Sequence, residues 1–370
     1  MKVYYFPLEQ LPQRMYSTVR QKMVGAFEKA KVDYEEIVPK VDASKIDTGG
    51  CVMSGAGHCQ WCLEQMAIFM SKLRSGEVKD GDVCYFDDLW FPGLESTFYA
   101  TELMNIQVGV YGFIHAGSFT TGDFVHPMYW WARNLEACWF AASDLIFVGS
   151  QQTKDDILST VLTNTRDLLN FGEVADKVVI TGLPFEVDKS LVEKFKYEMQ
   201  HKEDTVLFPH RDDIDKGIPD LLTLITLMKK NYPDRNVKYV ITSGGRPTRQ
   251  STQALFANFP EVEFKPNLSK DDYYRLLAKS KVMFSAAIQE NFGVCTQEAL
   301  TFNTHPVCPH RVSYKYLLPS TFRYTSIDEA ASMVSGVIGR KNGTPDLSGF
   351  VHHPYSAELI VYHMLLNERK

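Results

Sequence analysis

No uncharged apolar run in this chain approaches the roughly 18 residues of a membrane span, and its mean hydropathy is -0.19. The opening Met1-Lys2-Val3-Tyr4-Tyr5-Phe6-Pro7 lacks the apolar centre and small-residue cleavage site of a signal peptide; it reads as a β-strand. Cysteines are few and odd in number. The seven, at 51, 59, 62, 84, 138, 295 and 308, exclude a disulfide scaffold and fit a reducing cytoplasm. Dense positive charge is missing as well. Formal charge is -6; Lys and Arg number 15 against 23 Asp and Glu up to residue 185, a net of -8, and 24 against 22 beyond it, a net of +2. Neither part has the basic face of a generic polyanion binder, although the second has cations to spare for a small anionic ligand. With 45% hydrophobic and 23% charged residues, disorder and collagen-like order are excluded. At 370 residues the chain outgrows a single comfortable core, so two domains are expected.

What is present is alternation. Short β-branched, apolar or aromatic runs at Val3–Phe6, Glu36–Val38, Val83–Phe86, Val108–Ile114, Leu145–Val148 and Val178–Thr181 predict strands. Segments of helical period separate them, including the face Cys62, Met66, Phe69, Met70, Leu73, then Gly93–Met104, Met128–Ala142 and Thr153–Leu169. The pattern restarts with strands at Thr205–Phe208, Val237–Thr242, Val262–Phe264 and Val282–Ser285, interleaved with helices at Ile218–Lys230, Gln250–Asn258, Asp271–Lys279 and Gly293–Phe302. A polar, basic surface helix is expected within 189–203 and a closing helix over Tyr355–Asn367. The boundary falls near Gly182-Leu183-Pro184. The reading is α/β: residues 1–184 and 185–352 as two Rossmann-like domains facing a cleft, with 353–370 as a terminal helix. In such sheets ligands sit at the carboxyl ends of strands.

Two stretches of the second half carry the most chemistry. From Ser285 the chain runs Ala286-Ala287-Ile288-Gln289-Glu290-Asn291-Phe292-Gly293-Val294-Cys295-Thr296-Gln297-Glu298-Ala299. A strand ends, Gly293 permits a tight turn, and a helix start with free N–H groups favours an anion. Glu290 and Glu298 at this spacing suit two hydroxyls of one ligand with a phosphate between; a solvated loop acid and an ordinary helix charge is the plainer alternative. Upstream, His210-Arg211-Asp212-Asp213-Ile214-Asp215-Lys216-Gly217 follows another strand. Arg211 offers a planar fork and Lys216 a point charge for phosphate oxygens.

Together these stretches resemble the donor domain of retaining GT-B glycosyltransferases, over roughly 178–310. That family shows Gly-Arg-x-x-x-x-Lys-Gly, here His210-Arg211 through Lys216-Gly217, with His210 in the glycine's place. It also shows Glu-x-Phe-Gly-x-x-x-x-Glu-Ala, here Glu290-Asn291-Phe292-Gly293 through Glu298-Ala299. Gly244-Gly245 stand at its Gly-rich strand end, and Phe264-Lys265-Pro266-Asn267-Leu268 at its nucleotide-base loop. The resemblance implies Arg211 and Lys216 on a donor diphosphate, Gly245, Phe292 and the Gly293 backbone beside sugar and phosphate, Glu290 on sugar hydroxyls and Glu298 on the ribose. It further implies a nucleotide-diphosphate sugar as donor, a UDP-sugar being favoured, no metal requirement, and a terminal helix that returns to the first domain.

The first half departs from that family, whose opening strand runs into Gly-Gly. Here Pro7-Leu8-Glu9-Gln10 follows, and paired glycines come late, at Gly49-Gly50. His115 does match: it ends the apolar strand 108–114, where similar enzymes place a histidine that hydrogen-bonds the sugar. Asp87-Asp88 end another strand, with alternation allowing one side chain to enter a site; Asp88 is assigned to catalysis and Asp87 to the acceptor, against the alternative of a cap on the helix near Gly93. Trp90-Phe91 are the expected exposed stacking platform, whereas Tyr129-Trp130-Trp131 with Trp139 and Phe140 are expected to pack as core. Cys59-Gln60-Trp61-Cys62 lacks the second pair that structural zinc wants, so a buried structural role for Cys62 is preferred.

The reading is a retaining hexosyl- or pentosyltransferase that acts by positioning and by electrostatic stabilisation of the departing diphosphate. Phe86–Gly93 faintly resembles bacteriophage glycosyltransferases, some of which decorate hydroxylated DNA bases, which would place the protein in a host cytoplasm. Small-molecule, lipid-linked and glycan acceptors compete with that one. A GT-B-fold epimerase or phosphorylase, and a non-enzymatic metal-binding protein using Cys59 and Cys62, are the alternatives from other classes.

Overall fold

The computed structural model describes residues 1–9, 15–40, 55–123, 125–161, 171–243, 247–340, 345–352 and 355–367. They form two compact units, Met1–Phe185 with His353–Lys370, and Glu186–His352.

The first unit is built on six parallel strands: β1 (Lys2–Phe6), β2 (Asp33–Glu36), β3 (Asp82–Phe86), β4 (Val108–Ile114), β5 (Leu145–Val148) and β6 (Val178–Ile180), in the order β2-β1-β3-β4-β5-β6. β3 is buried along its whole length, as both faces of a helix-covered parallel sheet require. On one face, Tyr4, Phe6, Cys84, Phe86 and Val110 pack with Trp61, Met66, Phe69 and Leu73 of the helix Gly55–Ser75. The apolar spacing of that helix is what brings those four side chains to one stripe. The closing helix Ser356–Asn367 belongs to this unit: it packs on the helix Met15–Ala30, with Lys29 Nζ 3.2 Å from Glu358 and Asn367 Nδ2 donating to the Tyr111 hydroxyl at 3.2 Å.

The second unit has β7 (Glu203–Arg211), β8 (Lys238–Ser243), β9 (Val262–Phe264), β10 (Ser280–Phe284), β11 (His305–Pro309) and β12 (Arg323–Tyr324). Their order is β12-β11-β10-β7-β8-β9, again parallel. The chain first winds outward from β7 through β8 to β9, then returns to β10 on the other side of β7. That reversal opens a crevice at the carboxyl ends of β7 and β10.

Two expectations shift. The strand expected at 36–38 lies at Asp33–Glu36, because an edge strand tolerates charge: Lys2 and Lys72 pair with Glu35 at 2.7 Å each, and Arg20 pairs with Glu36. The helix expected within 189–203 is two, Lys189–Lys194 and Lys196–Gln200, broken where Phe195 turns into the core at 1% exposure. Of the helix expected at Thr153–Leu169, the part up to Val161 is described, as Gln151–Asp156 followed by a π-turn over Ile157–Val161.

Candidate active site

The crevice between β7 and β10 gathers most of the second unit's chemistry. Leaving β7 at Arg211, the chain makes a short 3-10 turn, Ile214–Lys216, and reaches Gly217, whose φ of 72° is left-handed. A Cβ at 217 would stand 2.3 Å from the Ala286 carbonyl oxygen, so glycine is what lets the β7 loop approach the β10 loop. The contact is sewn by backbone: Ile288 N donates to Asp215 O at 2.7 Å. From the other side Arg311 holds the same loop, its Nε on Ala287 O at 2.9 Å and its Nη2 on Ala286 O at 2.8 Å. His210, in the family's glycine position, has no left-handed backbone. The demand for glycine is met at 217 instead.

These constraints bring Lys216 to the acid-flanked turn. Its Nζ donates to Gln289 O at 2.8 Å and stands 3.0 Å from Asp215 and 3.7 Å from Glu290. Burial opposes the charge, but the Glu290 and Asp215 carboxylates outweigh it and raise the lysine's pKa, so Lys216 is a fixed cation. Glu290 reaches the other way with Oε1, accepting from Gly293 N at 3.0 Å at the start of the helix Val294–Thr301. Gly293 has φ 74° and lies against the Tyr314 ring, which a Cβ would approach to 2.9 Å. Phe292 is buried beside it. Lys216, Glu290 and Gly293 thus form one continuous contact. Arg211 does not join it directly: its guanidinium is part-exposed at the crevice rim and pairs with Asp213 at 3.3 Å. Gly244 and Gly245 lie outside the described residues.

Glu298 sits deeper, in the same helix, where burial lifts its pKa to about 7 and two tyrosine hydroxyls, Tyr273 and Tyr274, pull it back toward ionisation. Sequence reasoning missed both tyrosines, as well as Asp215 and Arg311. On the amphipathic helix Lys270–Lys279 an aromatic pair reads as core, and Tyr274 is core, at 1% exposure.

In the first unit the predicted residues cluster at the carboxyl ends of β3 and β4. Asp87 and Asp88 diverge as strand alternation demands, yet both are buried, at 1% and 3% exposure. Asp87 accepts the Tyr5 hydroxyl at 2.7 Å, and Asp88 accepts Trp90 N at 3.0 Å. Burial raises both to about 7. Neither caps a helix: the helix Glu95–Met104 starts at Leu94 without a side-chain cap. His115 is half-buried, with Nε2 2.9 Å from the Asp87 carbonyl oxygen. A carbonyl only accepts, so that nitrogen carries the proton, and burial, holding the ring's pKa down to about 4, keeps it neutral. Its Nδ1 is therefore an acceptor at neutral pH.

The aromatic expectations reverse. Trp90 and Phe91 are buried, Trp90 standing edge-on to Trp139 and donating Nε1 to Glu136 at 2.6 Å, so they are no exposed platform. Trp130 and Trp131 are the exposed pair, at 73% and 42%, because they occupy the outward side of the helix Tyr129–Ala142 while Trp139 and Phe140 face inward. Cys62 is buried within 3.5 Å of His58 Nε2, and His58 Nδ1 lies 3.2 Å from Glu9 Oε2. Cys59 is exposed. Among the described residues no group of three or more His, Cys, Asp or Glu side chains is placed to hold a metal ion. Cys51 and Gly49-Gly50 lie outside the described residues.

Residues 190–315, which contain the whole β7–β10 crevice, match the family Glycosyl transferases group 1. That match covers about a third of the chain, and these residues are similar to that family. Solved structures similar to this protein over the full chain include a UDP-forming alpha,alpha-trehalose-phosphate synthase from Burkholderia xenovorans, at TM-score 0.64 and 10% identity, covering 100% of this chain and 98% of that one. An E. coli trehalose-6-phosphate structure bound with UDP-2-fluoro glucose gives 0.63 and 12%, covering 100% and 97%. Anabaena HepE in complex with UDP and glucose gives 0.62 and 12%, covering 99% of both chains. The chain therefore has the GT-B fold, two Rossmann-like units each built on a six-stranded parallel sheet. No described helix is long and apolar enough to cross a membrane.

Proposed function

We propose that the enzyme transfers a glycosyl residue from a UDP-sugar to an acceptor hydroxyl with retention of anomeric configuration. The observation that carries this reading is the contact of Lys216, Glu290 and the Gly293 amide at the β7–β10 crevice. It supplies a cation and a helix N-terminus for a diphosphate, and beside them a carboxylate for sugar hydroxyls. The matched structures that hold UDP or a UDP-sugar analogue favour uracil as the base.

As the glycosidic bond breaks, negative charge grows on the diphosphate; Lys216, with Arg211 at the rim, stabilises it from fixed positions. Glu290 orients the sugar, and Glu298 holds the ribose. The same-face mechanism that the family resemblance implies requires no protein nucleophile: the acceptor oxygen bonds the anomeric carbon as its bond to the diphosphate breaks, and a leaving phosphate oxygen takes the acceptor's proton. In the first unit, His115 and Asp88 are the residues we assign to substrate: neutral His115 hydrogen-bonds a sugar hydroxyl, and Asp88 is poised between charge states near neutrality. No metal is assigned a role.

A small hydroxylated molecule, glycan or lipid-linked sugar is the acceptor class favoured here, since the first 185 residues carry a net charge of -8 and repel a polyanion. The test is incubation with a panel of UDP-sugars and acceptors, including duplex DNA with hydroxymethylated bases, with NMR of the product anomer. UDP release with a retained anomeric centre is expected. Inversion, or turnover of nucleotide sugar to an epimer without acceptor, would overturn the reading.

A further inference from the structure

Glu298 differs from Glu290 in that both of its oxygens accept from tyrosine hydroxyls rather than from a cation and a backbone amide. Tyr273 donates its hydroxyl to Oε2 at 2.9 Å, and Tyr274 donates to Oε1 at 3.1 Å. The tyrosines are consecutive on the helix Lys270–Lys279, and the acid belongs to the helix Val294–Thr301, so two elements must pack correctly before the arrangement exists. A carboxylate offers about four lone-pair sites. Two hydroxyls, one on each oxygen, leave about one acceptor site on each for a ligand. That is the acceptor pattern a vicinal cis-diol matches.

The arrangement is rigid on one side and open on the other. Tyr274 is 1% exposed and stacks at a tilt on Phe302, with ring centroids 5.3 Å apart. Tyr273 is half-buried, and Glu298 retains 7% exposure. The carboxylate is thus fixed in rotation before any ligand arrives, so the ordering cost is not charged to binding. The tyrosine hydroxyls also favour its ionised, purely accepting form against the effect of burial.

We propose that Tyr273 and Tyr274 are positioning residues that hold Glu298 as a receptor for the cis-diol of a ribonucleoside, and that the pair makes the donor site discriminate ribonucleotides from 2′-deoxyribonucleotides. This rests on the assignment of Glu298 to the donor ribose. Removing one tyrosine hydroxyl frees the carboxylate to rotate, and its two remaining lone pairs no longer meet both ribose hydroxyls together. A nucleotide that lacks the 2′-hydroxyl makes only one of the two bonds in any case and is largely indifferent to that rotation.

The experiment is calorimetric titration of the full-length protein with UDP, GDP and ADP and with their 2′-deoxy counterparts. Parent, Tyr273→Phe, Tyr274→Phe and the double variant are compared, with melting temperature measured for each. The parent is expected to prefer its ribonucleotide by about tenfold or more, the effect of one hydrogen bond to a charged acceptor. Each Phe variant should lose most of that preference through weaker ribonucleotide binding, with 2′-deoxynucleotide affinity within about twofold of the parent; a purely structural role would lower both affinities together. Parental ratios retained in the double variant, or both affinities falling in parallel, would overturn the proposal. A parent that binds diphosphates without a ribose preference sinks this inference alone. A parent that binds none of them overturns the donor assignment as well.

Discussion

Asp87 shows how much of a side chain's surroundings the sequence leaves open. It ends a strand, as the sequence indicates, but its Oδ2 is tied to Tyr5 and its Oδ1 is buried with no hydrogen-bond partner among the described residues. Burial raises its pKa from 3.8 to about 7, so between those values the folded protein holds a proton that the unfolded chain has released. Stability from this group is present at low pH and is lost as pH rises through that window. Asp87→Asn keeps an acceptor for Tyr5 and cannot ionise. In denaturant titrations at pH 5 and pH 8, the variant should gain on the parent as pH rises; an equal gap at both would show that Asp87 is charged throughout. The sequence could not reveal this, because adjacency on a strand says which faces two residues take and not what lies over each face. The same limit explains Trp90 and Trp130. Trp90 reads as an exposed platform and Trp130 as helix core, and tertiary packing decided the reverse: Trp90 donates to buried Glu136 while Trp130 meets solvent.

Elements were more legible than residues. Apolar runs such as Val108–Ile114 and Leu145–Val148 became strands with their predicted limits, since a parallel strand covered on both faces has little room for polar residues. The regions passed over each had a physical reason. β11 carries Pro306 and Pro309, which argue against an internal strand, yet it pairs with β10 and β12. The helix Ile327–Ile338 was announced by a capping box that went unread: the Ser326 side chain accepts from Glu329 N, and Glu329 accepts from Thr325. Edge strand β2 was displaced by its charge. For the site, the spacing of Glu290, Gly293 and Glu298 was legible because a strand–turn–helix unit is local. The closure of the β7 loop on the β10 loop, some 70 residues apart, was not. Gly217 is the hinge of that closure, and Gly217→Ala places a methyl group against the Ala286 carbonyl oxygen in a left-handed backbone. A loss of about 1–3 kcal/mol is expected from that strain, with donor affinity falling beyond what the lower melting temperature explains. Unchanged stability and binding would show that the two loops do not need to touch.

At the scale of the whole molecule, the two units share a plan and differ in winding. The first sheet runs β2-β1-β3-β4-β5-β6, and the second reverses after three strands, as β9-β8-β7-β10-β11-β12 when read from its other edge. Charge divides along similar lines, with the acidic excess in the first 185 residues and the spare cations beyond. Residues 190–315 carry the family match, and the proposed donor site stands or falls on the crevice between β7 and β10. The most direct test is calorimetric titration of UDP into the parent and into Lys216→Met, which keeps the aliphatic stem and removes the charge. UDP should bind the parent, and at a hundred times its dissociation constant it should add about 2.7 kcal/mol to stability. Lys216→Met should bind UDP at least about thirtyfold more weakly, the loss of a charge-assisted contact to phosphate, while still melting cooperatively. Equal affinity in a folded Lys216→Met protein would contradict the placement of the diphosphate at this crevice.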